Sequence, residues 1–445
     1  MSDTPISDFV RSYNESGTVR MHMPGHKGHP LLGPEVLDIT EIKGADFLFE
    51  AEGIIRKSHG RVNELYGSMR SLFSTEGSSL SIKGMLAAAR AFLGADAKFA
   101  SARNCHRAFL NGCILLGIDP VWIFPGKTST SVCASEVTPA DVARALDADP
   151  MIKAVYITSP DYFGNMSDIR GIAEVCHSRG ALLLVDNAHG AYLKFAGEGL
   201  HPLDLGADIC CDSAHKTLPA LTGASLLHIS KGAPDWLAEH AAAEMSLFAS
   251  TSPSYVIMQS IERCMHELKN GLAEGIRDCC RQVSECRKRL VAAGFELIGD
   301  EPMKLTVSAA AKGYTGEELA GYLREHNIEP EYADRLYVVL MPSPFNRPGE
   351  LLAVTSALEA LPGRGAAVIC DDPVITVPKK AMSPREAYFR PFSRIAVEEA
   401  EGRVCARTAM SCQPSVPVIA GGEVFDKKII KILKNYGIFF ADVIE

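Results

Sequence analysis

Along the first half of the chain the period of the apolar positions switches repeatedly between helical and extended. Leu80–Leu93, His106–Leu116, Pro139–Leu146 and Ile169–His177 carry apolar side chains at helical spacing. Between them lie apolar runs too brief for a helix: Lys98–Ser101, Val121–Phe124, Ala154–Thr158 and Ala181–Val185. This alternation predicts an α/β domain, a mostly parallel sheet with helices on both faces, over residues 46–270. Ahead of it, residues 1–45 read as an extended polar arm, too rich in Gly, Pro and His around Met21–Gly28 to hold a regular element. Tyr255–Ala292 has a long helical pattern that leads into a smaller α+β domain, residues 271–365. There Phe295–Ile298, Lys304–Val307 and Leu336–Leu340 read as strands, Glu317–His326 and Glu350–Leu361 as helices. Residues 366–445, with Pro-rich extended pieces and one helix at Lys427–Tyr436, are either a separate domain or an appendage of the small one.

Composition narrows the function classes. A chain of 445 residues supports two or three domains with a large core. The net charge of −9, without a long basic run, argues against nucleic acid as a partner. No apolar stretch approaches the roughly 18 residues that span a bilayer, and Met1–Pro5 has no basic cluster ahead of an apolar core. Thirteen cysteines, none in a Cys-x-x-Cys pair, predict reduced buried thiols, no structural metal and a cytoplasmic setting. No Gly-x-Gly-x-x-Gly follows a strand, so a dinucleotide site has little support.

Candidate chemistry concentrates where apolar runs end abruptly in polar groups. Leu182–Val185 runs into Asp186-Asn187-Ala188-His189-Gly190, and about thirty residues on comes Cys211-Asp212-Ser213-Ala214-His215-Lys216-Thr217. Neighbouring strands of an α/β sheet deliver such groups to a crevice at their carboxyl ends. A Lys on one strand end and an Asp on the next suit pyridoxal 5′-phosphate: Lys216 for a Schiff base with the aldehyde, Asp186 to keep the pyridine nitrogen protonated. Taken alone, Lys216 reads more readily as a surface lysine in a loop, and Asp186 as an N-cap or turn residue. Ser213 and His215 can bind phosphate. His189 either orients a neighbour or is a satisfied core histidine. Ser74-Thr75-Glu76-Gly77-Ser78-Ser79 precedes an Ala-rich helix. Its backbone N–H groups make an anion site, Gly77 permits close approach, and Ser78 or Ser79 alternatively serves as an N-cap. His106 follows another strand end and either stacks on a ring face or is structural. Asp161, in the turn after Thr158, lines a pocket or joins two elements.

These residues resemble a known family. His22-Met23-Pro24-Gly25-His26-Lys27-Gly28, Ser74–Ser79, Asn104-Cys105-His106, Asp186–Gly190 and Ser213–Thr217 occur in the order found in the ornithine/lysine/arginine decarboxylases, in their short form without the extra N-terminal domain. Thr251-Ser252-Pro253-Ser254-Tyr255 is similar to a family segment that reaches a neighbouring subunit's site. The resemblance implies a fold-type I architecture, a mostly parallel seven-stranded sheet sandwiched by helices plus smaller α+β C-terminal parts. It implies pyridoxal 5′-phosphate as cofactor and decarboxylation of an L-amino acid, with Lys216, His189 and Asp186 catalytic. His106 would be the stacking ring, and Gly77, Ser78, Ser79, Ser213, His215, Thr251 and Ser252 further cofactor contacts. A homodimer with shared active sites, or a higher oligomer, goes with it. A basic substrate needs a carboxylate at the far end of the pocket, for which Glu423, Asp46 and Asp161 are the candidates. The late family segment departs: Ser411-Cys412-Gln413-Pro414 stands where Tyr-Pro-Pro-Gly is usual, while Glu423 survives. Ser58-His59-Gly60-Arg61 also replaces the usual Ala-Gln pair, whereas Gly44-Ala45-Asp46 echoes Gly-Leu-Asp. Aminotransfer or a lyase step on the same scaffold is the alternative, with Arg385 or Arg394 for a substrate carboxylate; a non-catalytic cofactor-binding relative is the other.

Overall fold

The structure, a computed structural model, describes residues 3–125, 133–134, 136–368, 377–410 and 416–445. Its chain divides into two compact units that interleave in sequence. One comprises Met1–Phe99, Leu146–Ile157 and Ile169–Ala273, the other Ala100–Ala145, Thr158–Asp168 and Glu274–Glu445.

Seven strands form the main sheet: β1 (Arg70–Ser74), β2 (Lys98–Ala102), β3 (Val121–Ile123), β4 (Ile152–Thr158), β5 (Leu182–Asp186), β6 (Ile209–Asp212) and β7 (Ser225–Ile229). Their order is β1-β7-β6-β5-β4-β2-β3. β5 and β6 run parallel with Asp186 opposite Cys211, while β7 is antiparallel to both β6 and β1. Every residue of β5, β6 and β7 is buried. That is the reason the sequence here is a near-continuous apolar run instead of an alternation. The α/β reading therefore holds, and each predicted strand and helix of residues 80–185 is present within a few residues of its expected ends.

The first unit packs its helices tightly on this sheet. In α3 (Gly77–Leu93) a side chain at Gly84 would meet Met245 of the Asp235–Ser246 helix at 2.8 Å, so the small residue sets how closely these helices approach. The arm departs from expectation. Pro5–Glu15 is a helix, α1, with Pro at its start and Ile6 and Val10 fully buried at i, i+4 spacing. The Gly, Pro and His content that argued against regular structure lies after it. A second helix, α2 (Ile54–Tyr66), follows. The long helical pattern at 255–292 is broken: Tyr255–Glu267 and Ala273–Ala292 are joined by one π-helical turn whose Asn270 and Gly271 leave helical geometry, Gly271 at φ +122°.

In the second unit, β8 (Glu296–Ile298), β9 (Leu305–Ser308), β10 (Tyr332–Ala333) and β11 (Tyr337–Leu340) form an antiparallel sheet in the order β10-β11-β9-β8. One buried cluster joins Tyr332, Tyr337 and Val339 of this sheet to Ile419, Phe425, Ile429, Leu433 and Val443. The last segment thus shares a core with the small sheet. No described helix is long and apolar enough to cross a membrane, and the eleven described cysteines are free thiols.

Candidate active site

β5 and β6 end side by side, and their pairing carries both key residues to one edge. Past β6 the chain enters a single helical turn, Ala214–Thr217, which presents Lys216. Its Nζ lies 3.1 Å from Nε2 of His189, three residues past Asp186. The Asp186 carboxylate is buried and accepts from the Tyr156 hydroxyl at 2.9 Å and the Ala188 N–H at 3.1 Å. It forms no ion pair with any described Lys, Arg or His, although a buried carboxylate is costly without a cation. Tyr156, within the apolar run of β4, was missed in the sequence because nothing there separates a hydrogen-bonding tyrosine from a packed one.

A second feature is the loop before α3. Gly77, at φ +71°, opens the helix, and a side chain there would meet nothing within 4 Å. The Glu76 side chain does not cap the helix; it accepts from the Ser250 N–H at 2.8 Å. Ser78 and Ser79 stand inside the first turn, not at the cap, where N–H groups lack intrahelical partners and the helix dipole favours an anion. The Gly77 N–H donates to the Gly223 carbonyl at 2.7 Å, and a side chain on Gly223 would lie 2.8 Å from the Thr75 carbonyl oxygen. Thr222-Gly223-Ala224 is thereby held against the anion loop. His215 donates from Nδ1 to the Ala224 carbonyl at 2.9 Å, leaving Nε2 as the nitrogen available to a ligand. The Ser213 and Thr217 hydroxyls are buried without a hydrogen-bond partner. A buried carboxylate with no cation among the described residues, hydroxyls without a hydrogen-bond partner beside a lysine, and an open helix N-terminus fit a group with a cationic ring nitrogen, an aldehyde and a phosphate. Thr251 and Ser252 are exposed, in the loop tied to Glu76 through Ser250.

The remaining candidates are structurally committed. His106, in the second unit, caps the Arg107–Leu116 helix by accepting the Ala108 N–H at 3.1 Å. Asp46 accepts N–H bonds from Phe47, Glu52, Gly53, Ile55 and Arg56 and so serves the start of α2. Partial burial works to raise its pKa, but these bonds hold it below the ordinary value. Asp161, in the second unit, builds its own turn by accepting from the Phe163 and Asn165 N–H groups and the Asn165 amide; burial pushes its pKa up to about 6. Glu423 receives both Arg103 guanidinium nitrogens, at 2.7 and 2.6 Å, and the Ala420 N–H at 2.7 Å. Removing one partner of such a buried pair costs about 3–5 kcal/mol. Arg385 donates to the Ile114 and Leu115 carbonyls, and Arg394 pairs with Asp442. Ser411–Ser415 lies outside the described residues.

Behind the strand ends is a network the sequence did not reveal. His201, Cys210 and Asp212 bring one potential ligand atom each within 4.8 Å of one another. His201 Nδ1, however, accepts the Leu203 N–H at 3.3 Å, which puts its proton on the Nε2 that faces Asp212 at 3.1 Å. These contacts are those of a hydrogen-bonded network, not a ligand set.

The sheet order and the strand-end residues place the chain among enzymes of the fold-type I class. A lysine decarboxylase from Francisella novicida superposes with a TM-score of 0.80 at 16% identity, covering 99% of this chain and 81% of that one. An alanine–glyoxylate aminotransferase from Nostoc sp. superposes at 0.53 and 18% identity, covering 68% and 85%. In sequence, an arginine decarboxylase from Halalkalibacterium halodurans is 27% identical over 97% of this chain and 93% of its own length. The profile described as Orn/Lys/Arg decarboxylase, major domain, matches residues 4–300. The chain belongs to that decarboxylase family.

Proposed function

We propose that the protein is a pyridoxal 5′-phosphate-dependent decarboxylase of a basic L-amino acid. The observation that carries this reading is Lys216 Nζ, 3.1 Å from His189 Nε2, on the sheet edge where the buried Asp186 carboxylate has no cationic partner among the described residues. Lys216 would hold the cofactor covalently, Asp186 would hold the proton on its ring nitrogen, and the Gly77-Ser78-Ser79 turn with Ser213 and His215 would take its phosphate. The family resemblance adds His106 as the stacking ring and Thr251 and Ser252 as contacts across a subunit boundary. The bound cofactor supplies the electron sink for the pair left when the bond to the substrate carboxylate breaks. The Tyr156 hydroxyl and the Ala188 N–H hold the Asp186 carboxylate in place. His189 orients the Lys216 amine, and one of the two returns a proton to the substrate carbon.

The names of relatives support arginine or lysine as substrate. Asp46, Asp161 and Glu423 remain the carboxylates proposed for the distal cation, although their hydrogen bonds lead us to expect that Asp46→Asn and Glu423→Gln lower stability more than they raise KM. Aminotransfer is disfavoured because Arg385 and Arg394, the arginines considered for a substrate carboxylate, are engaged within their own unit. A homodimer in a cytoplasmic setting completes the proposal, supported by the exposure of Met21, Leu31 and Leu32 on the arm and by the free thiols.

The test is direct. Protein reconstituted with pyridoxal 5′-phosphate should show a visible band that borohydride fixes covalently to Lys216, and Lys216→Ala should lose it. Incubation with lysine, ornithine or arginine should release CO₂ and cadaverine, putrescine or agmatine. A fixed cofactor with a pyridoxamine product and no CO₂ would replace decarboxylation by aminotransfer.

A further inference from the structure

Strand alternation sends consecutive residues to opposite faces of the sheet. Asp186 has the Cys211 thiol as neighbour at 3.6 Å. One position further along each strand, Asn187 and Asp212 meet instead, the Asn187 amide donating to the Asp212 carboxylate at 2.6 Å. The Asn187 N–H also donates to the Cys211 carbonyl at 3.0 Å, so the pair closes the β5–β6 ladder at its end. Asp212 accepts further from His201 Nε2 at 3.1 Å and stands 3.3 Å from His228 Nε2. His228 Nδ1 lies 2.7 Å from the Ser71 hydroxyl, itself 2.7 Å from that of Ser68, and the Tyr66 ring stacks on His228 at 4.3 Å. Asn187, His201, Asp212 and His228 are all fully buried. Burial opposes ionisation of Asp212, but the two imidazoles outweigh it and hold its pKa well below the ordinary value.

A carboxylate and two imidazoles at this depth are an expensive way to fill a core that apolar side chains of equal volume would fill at lower cost. Stability alone therefore does not account for the set. Its placement does. Asn187 directly follows Asp186, and Asp212 directly precedes Ser213, whose carbonyl accepts the Lys216 N–H at 3.1 Å. The side-chain bond thus tethers the residue behind the carboxylate to the residue ahead of the lysine turn.

We propose that Asn187, Asp212, His201 and His228 are positioning residues that fix the spacing and orientation of Asp186 relative to the Lys216 turn. The inference rests on reading Asp186 and Lys216 as the pair that holds the cofactor. No member of the set need touch cofactor or substrate. Displacing reacting groups by about 1 Å costs on the order of 100-fold in rate, so the device should act on turnover while leaving substrate affinity near its starting value.

The experiment uses full-length protein carrying pyridoxal 5′-phosphate, with Asp212→Asn, Asn187→Ala and the double variant. Four quantities are read: borohydride-fixed cofactor, the pH midpoint of the visible absorbance, kcat and KM on the preferred amino acid, and Tm. Both single variants should retain fixed cofactor, shift the spectral midpoint, and lower kcat about 10- to 100-fold with KM changed less than about threefold. The double variant should be no worse than the poorer single one, because both perturb the same network: Asn187→Ala removes its donor, and Asp212→Asn removes its charge and one acceptor oxygen. A fall in Tm with midpoint and kcat unchanged would reduce the set to a structural role and overturn the inference. Should Asp212→Asn fail to fold, Asn187→Ala, which removes one donor and no charge, decides alone by the same criteria. One equivalent of metal in the purified wild type, released by chelator with the spectral shift, would overturn it as well, since His201 Nε2 and Asp212 would then be ligands. A wild type that fixes no cofactor would remove the underlying reading first and this inference with it.

Discussion

Asp161 shows how burial and local bonding compete at a single residue. Its carboxylate is held by two backbone N–H groups and an amide, yet burial prevails and pushes its pKa up to about 6, above the 3.8 expected of the unfolded chain. Between those values the folded protein binds more protons than the unfolded one, so stability falls as pH rises from about 4 to 6 and is level beyond. The slope assigned to this residue approaches about 1.4 kcal/mol per pH unit. Asp161→Asn should remove it, measured as the difference between wild-type and variant unfolding free energies across that window; parallel curves would refute the assignment. The placement of Lys216 and Asp186 at neighbouring strand ends was legible in the sequence because each follows the stop of a continuous apolar run. Asn187 and Asp212 stood beside them unread, since their meaning depends on His201 and His228, and no local pattern links those four positions. The carboxylates proposed for the substrate were legible only as residue types: that Glu423 pairs with Arg103 requires a contact across some three hundred residues.

At the scale of elements, α1 depends on a partner far along the chain. Its N-cap Thr4 makes no side-chain cap bond; Glu262, in the helix 255–267, accepts the Ile6 and Ser7 N–H groups at 2.9 and 2.8 Å and the Ser7 hydroxyl at 2.8 Å. Glu262→Ala should cost about 1–2 kcal/mol, as loss of a helix cap does. Hydrogen exchange should quicken selectively over residues 5–15, and uniform exchange would count against the capping role. The helices and strands of 80–185 were readable because their periods are strong and their boundaries carry Gly or Pro. α1 was not, since a cap supplied from another helix leaves no trace in its own sequence. The break at Asn270–Gly271 was hidden for the opposite reason: apolar spacing continues across it while the backbone does not.

At the scale of the molecule, the arm leaves Met21, Leu31 and Leu32 at 88%, 77% and 91% exposure, far from the burial usual for such side chains. We expect the protein to self-associate. Light scattering at micromolar concentration should give at least twice the chain mass of 48.0 kDa, and Leu31→Asp with Leu32→Asp should lower it. A wild-type monomer would remove the shared-site part of the proposed function. Contiguous segments were the natural expectation for domains, because composition changes along a chain are all that a sequence displays. The last segment's membership in the second unit's core rests on side chains such as Phe425 and Val443 meeting Tyr332 and Tyr337, which no composition shift announces.

The interleaving of the two units has a consequence for how the chain is made. It passes from one unit to the other five times, and the first is incomplete until Ala273 has been added. During synthesis, β1 and the apolar face of α3 must wait for β7 and the 235–246 helix, more than a hundred residues downstream, before either is covered. A nascent chain of this design spends much of its elongation with its future core accessible to chaperones and to other copies of itself.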